Sequence, residues 1–207
     1  MPAATRPSLY PPGNPERNVW LTVPNIITLL RLLAIIPFVW LVTQARYRAA
    51  LVLFIAAALT DTLDGEIARR FGQASKIGRL LDPLADKLFT GVSFVALSAF
   101  RPAQSRIPIW VMAAVLARDV LILVGSFVVY SASRNSGFKP SVYGKLNTLL
   151  EIFVIVCFLA TPELPFIAEI LPGLYIVLVA SLLVSAGDYL RTGLHMMRAP
   201  AADGGRQ

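Results

Sequence analysis

Long apolar runs at residues 23–44, 48–71, 78–100, 107–131, 142–161 and 166–190 divide the chain, with short turns rich in Arg, Pro, Gly and Ser between them. Each is close to the roughly 20 residues with which an α-helix crosses a bilayer. The pattern predicts an all-α, polytopic membrane protein with six transmembrane helices. The membrane domain is expected over residues 23–197, between a proline-rich N-terminal segment at 1–22 and a polar tail at 198–207. Pro2, Pro7, Pro11, Pro12 and Pro15 interrupt the N-terminal segment, which has no continuous apolar stretch. It therefore reads as a cytoplasmic lead and not as a signal peptide.

Composition strengthens this picture. Of 207 residues, 56% are hydrophobic and only 15% charged, against about 25% charged in a soluble domain. The mean hydropathy is +0.66. The apolar excess must face lipid. An even number of spans puts both termini on one side. That side would hold Arg6, Arg17, Arg69, Arg70, Lys76, Arg79, Arg134, Lys139, Lys145, Arg191, Arg198 and Arg206, whereas the opposite loops hold only Arg46, Arg48, Arg101 and Arg106. The positive-inside rule then assigns both termini to the cytoplasm. The net charge of +7 reads as topology and attraction to anionic headgroups, not as nucleic-acid binding. Cys157 is the single cysteine, which excludes an intrachain disulfide and a cysteine zinc cluster. His195, among Leu194, Met196 and Met197, reads as an interfacial residue.

The second and third runs break the rule that spans avoid ionisable residues. They contain Asp61-Thr-Leu-Asp64-Gly65-Glu-Ile-Ala68-Arg69 and Gly78-Arg-Leu-Leu-Asp82-Pro-Leu-Ala-Asp86-Lys87. Charges in hydrocarbon each cost several kcal/mol and mark function by default. Asp61 and Asp64 are three apart and Asp82 and Asp86 four apart, so each pair lines one helix face. Counted from the connecting loop, Asp64 and Asp82 lie roughly 6–11 Å deep, and Asp61 and Asp86 roughly 12–15 Å. Antiparallel helices would bring the four together. Carboxylates so placed repel unless neutralised, and divalent cations with oxygen ligands are the usual remedy. The expectation is a magnesium or manganese site, with two ions in the manner of clamps that stabilise phosphoryl displacement. Gly65, Gly78 and Ala68 leave room for a ligand to approach the backbone, and Arg69 can fork onto phosphate oxygens. The plainer reading is an ion network of these aspartates with Arg69, Arg70, Lys87 and Arg118. A transporter is the rival class, but its site would sit near the midplane between repeated halves, and no repeat is evident.

The pattern Asp-x-x-Asp-Gly-x-x-Ala-Arg, eight residues, then Gly-x-x-x-Asp-x-x-x-Asp stands unbroken from Asp61 to Asp86. It resembles the signature of the CDP-alcohol phosphatidyltransferases, and the six-helix plan extends the resemblance over nearly the whole chain. The resemblance implies metal-dependent transfer of a phosphatidyl group from CDP-diacylglycerol to an alcohol, with release of CMP. It implies metal binding by Asp61, Asp64, Asp82 and Asp86, with Asp86 also the catalytic base for the acceptor hydroxyl. It assigns Asp61, Gly65, Ala68, Arg69 and Gly78 to the CDP group, with Arg69 on the diphosphate. A homodimer in a bacterial inner membrane, with the active site on the cytoplasmic side, is the expected setting.

The acceptor must be read elsewhere. Val23-Pro24-Asn25-Ile-Ile-Thr28-Leu-Leu-Arg31 and Leu81-Asp82-Pro83 resemble the branch that makes phosphatidylglycerophosphate and cardiolipin. Ala117-Arg118-Asp119 and Lys139-Pro140-Ser-Val-Tyr143-Gly144-Lys145-Leu-Asn147-Thr148 are similar to the CMP-forming cardiolipin synthases. Phosphatidylglycerophosphate synthases typically carry a second arginine where Ser126 stands here. Phosphatidylglycerol, a monoanion, needs fewer cations than glycerol 3-phosphate, a dianion. Phosphatidylglycerol is thus the expected acceptor and glycerol 3-phosphate the alternative, with Arg118, Lys139 and Lys145 as candidates for the acceptor phosphate. Tyr143, Asn147 and Thr148 are either acceptor contacts or interhelical glue. Arg118 has a structural alternative in Asp119, and Glu151 and Asp188 call for cationic partners.

Overall fold

The computed structural model describes residues 23–71, 78–102, 105–132 and 142–198, and the long elements in them are all α-helices. In chain order these are α1 (Val23–Thr43), α2 (Tyr47–Phe71), α3 (Gly78–Ala99), α4 (Ile109–Ala132), α5 (Val142–Ala160) and α6 (Ile167–Arg198). Six apolar runs therefore became six helices, with limits close to those expected. The exception is α6, which continues to Arg198 although its apolar run ends near residue 190. Hydropathy marks where burial in an apolar medium stops, and the helical backbone has no reason to stop there.

The turn between α1 and α2 shows how a short connection is made without glycine. Ala45 adopts a left-handed conformation with φ 55°. Arg46 N–H donates to the Leu41 carbonyl (2.9 Å) and Ala45 N–H to that of Val42 (3.1 Å). This is the Schellman arrangement that satisfies the last carbonyls of a helix.

Among the described residues, α1 packs along both α2 and α3, α5 touches α2 and α3, and α6 lies against α4 and α5. Phe38 of α1, Phe54 of α2 and Phe89 of α3 join the first three helices. Phe54 and Phe89 stack with centroids 5.3 Å apart, and Phe38 meets them at 5.9 and 5.7 Å. Toward the other end, Phe94, Leu97, Ile107, Val111, Ile155, Leu159 and Leu178 fill the core. There Arg101 is buried, its guanidinium 3.9 Å from the Tyr47 ring centroid and 4.7 Å from that of Phe158. Ring faces thus hold this cation. At the α4–α6 seam the Tyr189 ring packs onto the backbone at Gly125: a Cβ added there would have three Tyr189 side-chain atoms within 3.1 Å. The Tyr189 hydroxyl donates to the Ile122 carbonyl there (3.2 Å).

The outside is apolar. Ile36, Val52, Leu149, Ile176 and Leu183 are more than half exposed, a surface that water would disfavour. Among the described residues, Ile167–Arg191 is the one stretch long and apolar enough to cross a membrane by length and composition. Shorter apolar stretches lie in α1 (Thr28–Thr43), α2 (Tyr47–Thr60), α3 (Lys87–Ala99) and α5 (Leu146–Ala160).

Candidate active site

The stacked phenylalanines fix which stripes of α2 and α3 face each other. On an α-helix, residues seven apart return to nearly the same face about 10.5 Å along the axis. Seven residues beyond Phe54 is Asp61, and seven before Phe89 is Asp82. Only residues 72–77 separate the two helices, so α3 returns antiparallel to α2. Positions 61 and 82 are thus each two helical turns from a ring of the stack, on the connecting-loop side. Asp64 continues the α2 stripe by one turn, and Asp86 lies one turn from Asp82 toward Phe89.

Backbone placement puts Asp61, Asp64, Gly65, Ala68 and Arg69 in the last turns of α2, and Gly78, Asp82 and Asp86 in the first turns of α3. The side chains of these eight residues lie outside the described part, as does that of Lys145 at the start of α5. Lys139 lies outside the described residues altogether. Among the described side chains, no group of three or more potential metal ligands occurs.

What is described next to Asp86 is a buried network of four charges. Lys87 Nζ, on α3, lies 3.2 Å from Glu151 Oε2 on α5 and 3.3 Å from Asp119 Oδ1 on α4. It also approaches Thr148 Oγ1 at 3.4 Å. Arg118 donates from Nη1 to Asp119 Oδ1 (2.8 Å) and from Nη2 to Ser185 Oγ on α6 (3.2 Å). Its Nη1 stands 4.0 Å from Glu151 Oε1. Glu151 is wholly buried, and Arg118 is 5% exposed. Two cations and two carboxylates thus balance, tying α3, α4, α5 and α6 together. This identifies the cations that Glu151 requires, and it bears out the pairing of Arg118 with Asp119. Asn147 and Ser181 add a neutral clasp between α5 and α6: Asn147 Nδ2 donates to the Ser181 carbonyl (3.3 Å), and the Ser181 hydroxyl donates to Asn147 Oδ1. Thr148 donates to the Gly144 carbonyl (3.3 Å). The described contacts of Asn147 and Thr148 are thus interhelical or local.

A family model for CDP-alcohol phosphatidyltransferase matches residues 21–186, most of the chain and all of the carboxylate register. The chain belongs to the CDP-alcohol phosphatidyltransferase family. A CDP-diacylglycerol–glycerol-3-phosphate 3-phosphatidyltransferase of Aquifex aeolicus is 32% identical over 179 residues, covering 86% of this chain and 98% of that protein. A CMP-forming cardiolipin synthase of Streptomyces coelicolor is 32% identical over 146 residues, 63% of this chain and 64% of that protein. The human CMP-forming cardiolipin synthase is 31% identical over 180 residues, 78% of this chain and 55% of its own length. The protein is accordingly a phosphatidyltransferase of phospholipid biosynthesis, and these relatives divide between two acceptors.

For this phosphatidyltransferase, the carboxylate register was visible as a motif, whereas the Lys87–Glu151 contact was not. The two residues are separated by 64 positions, and no local pattern in the sequence links them. The available signal was that Lys87 and Glu151 are each a charge inside an apolar run, which requires a partner somewhere.

Proposed function

We propose that this phosphatidyltransferase transfers the phosphatidyl group of CDP-diacylglycerol to a hydroxyl of phosphatidylglycerol, forming cardiolipin and CMP. The observation that carries the reaction is the carboxylate register, with Asp61 and Asp64 in the last turns of α2 and Asp82 and Asp86 in the first turns of α3. Four carboxylates form an all-oxygen donor set, which suits magnesium or manganese and accommodates two ions. When bound, the metal neutralises the diphosphate and the charge that develops on the departing CMP.

The chain's own residues do the rest. Arg69 grips the diphosphate in a fork that lysine cannot reproduce. Gly65, Ala68 and Gly78 let the cytidine lie against the helix backbones, with Asp61 beside it. Asp86 takes the proton of the acceptor hydroxyl as that oxygen forms a bond to the diacylglycerol-bearing phosphorus. The bond from that phosphorus to the bridging oxygen breaks, and the oxygen departs with CMP. Arg118, Lys139 and Lys145 serve the acceptor phosphate.

Phosphatidylglycerol is favoured by Ser126, where a second arginine would serve a dianion, and by the engagement of Arg118 with Asp119 and Ser185. The reading with glycerol 3-phosphate as acceptor draws support from the Aquifex relative, which the chain covers nearly end to end. The setting we infer is a bacterial inner membrane crossed six times, with both termini and the site on the cytoplasmic side and the enzyme working as a homodimer. The apolar exterior supports the membrane placement, and the uneven distribution of Arg and Lys supports the orientation.

Purified protein with CDP-diacylglycerol and magnesium or manganese tests the reading through CMP release. Release with phosphatidylglycerol and not with glycerol 3-phosphate is expected. Release with glycerol 3-phosphate alone would replace the acceptor while keeping the reaction.

A further inference from the structure

Charge bookkeeping around Asp86 suggests how the acceptor is chosen. Lys87 directly follows the proposed base, and Arg118 is a candidate for the acceptor phosphate. Each of these cations is already matched. Asp119 Oδ1 lies 2.8 Å from Arg118 Nη1 and 3.3 Å from Lys87 Nζ. Glu151 Oε2 lies 3.2 Å from Lys87 Nζ. Arg118 Nη2 is taken up by Ser185, while its buried Nε has no hydrogen-bond partner. Asp119 Oδ2 and Glu151 Oε1 are likewise buried without a hydrogen-bond partner, so by formal charge the cluster offers a ligand no net positive charge.

The cancellation matters because it happens out of water. In a low-dielectric surrounding, charges act over longer distances and an unmatched charge is costly. A phosphodiester carries one negative charge. A phosphomonoester carries nearly two at neutral pH, since its second ionisation lies near pH 6. Within this cluster the second charge finds no unmatched cation, which leaves only Lys139 and Lys145 of the proposed acceptor residues to meet it.

We propose that Glu151 and Asp119 are specificity-determining residues: by cancelling Lys87 and Arg118, they set the acceptor site for a phosphodiester monoanion held in a lipid and against a free phosphomonoester dianion. This rests on the acceptor reading above and assigns it to two carboxylates outside the Asp61–Asp86 motif. They act through the cations they neutralise. The determinant is thus an acidic pair on α4 and α5, in addition to any missing arginine.

The test measures kcat and KM for phosphatidylglycerol and for glycerol 3-phosphate in the full-length wild type and in Glu151→Gln. Removing one negative charge while keeping a hydrogen-bonding side chain of the same shape should shift the ratio of kcat/KM about tenfold toward glycerol 3-phosphate. The shift should come mainly from a lower KM for that acceptor. The charge-balanced double variant Lys87→Gln/Glu151→Gln should return to the wild-type ratio. A purely structural role would lower both acceptors alike and leave the ratio unmoved. Asp119→Asn makes the same charge change and is read the same way if Glu151→Gln does not fold. An unchanged ratio in a folded single variant overturns the inference while leaving the acceptor reading intact, and so does a shifted ratio in the double variant. A wild type that prefers glycerol 3-phosphate overturns both.

Discussion

Two groups of charge meet at adjacent positions of α3, Asp86 and Lys87, and they are built on opposite principles. At Asp86 and before it, the fixed positions of the motif carry four aspartates and one cation, Arg69. At Lys87 and after it, the cluster with Arg118, Asp119 and Glu151 balances to zero within 4.0 Å. The balanced group cancels its own formal charge and ties four helices together. In the proposed function, the unbalanced group is the one that calls for an external cation. Arg101, at the far end of the core, shows a third solution, a cation held by the faces of Tyr47 and Phe158.

The sharpest way to break the unbalanced group is Asp86→Asn. It should lower CMP release on the order of 10³-fold, the scale of losing a general base, and leave CDP-diacylglycerol binding largely intact. Turnover assays beside ligand binding check this. Glu151→Leu attacks the balanced group and leaves Lys87 and Arg118 with one carboxylate between them. A loss of about 3–5 kcal/mol is expected, read from unfolding in detergent. Lys87→Met/Glu151→Leu, which removes an opposite pair, should recover most of it. Arg101→Lys keeps the charge but loses the planar stacking on two rings, and should cost about 1 kcal/mol in the same measurement. Asn147→Ala is the neutral control: it cuts the clasp to Ser181 without altering charge. It should cost about 0.6 kcal/mol, typical of interhelical hydrogen bonds in membranes, and leave the acceptor ratio untouched.

These two groups also mark what could be read from the sequence. The helices were legible because each apolar run has the length of a span, and the limits of α1 to α5 follow the runs closely. The carboxylate register was legible because its spacing is local: three and four residues define a helix face without knowledge of the neighbours. The balanced cluster was not, because it depends on how α3, α4 and α5 are rotated against one another, and packing decides that. Asn147 and Thr148 illustrate the same limit. Their place one turn inside α5 suited either an acceptor contact or a helix clasp, and only the position of Ser181 on α6 separates the two for Asn147. The left-handed end of α1 at Ala45 escaped notice for a different reason, since glycine is the usual signal for that conformation and alanine stands there instead.

If the proposed site is right, the acidic register binds metal and the balanced cluster does not. Electron paramagnetic resonance of manganese titrated into the purified protein tests it most directly, with wild type, Asp82→Asn and Glu151→Gln compared at equal concentration. Manganese should bind to the wild type and to Glu151→Gln and be lost from Asp82→Asn. Binding that survives in Asp82→Asn but disappears in Glu151→Gln would contradict it and move the metal to the wrong side of Asp86.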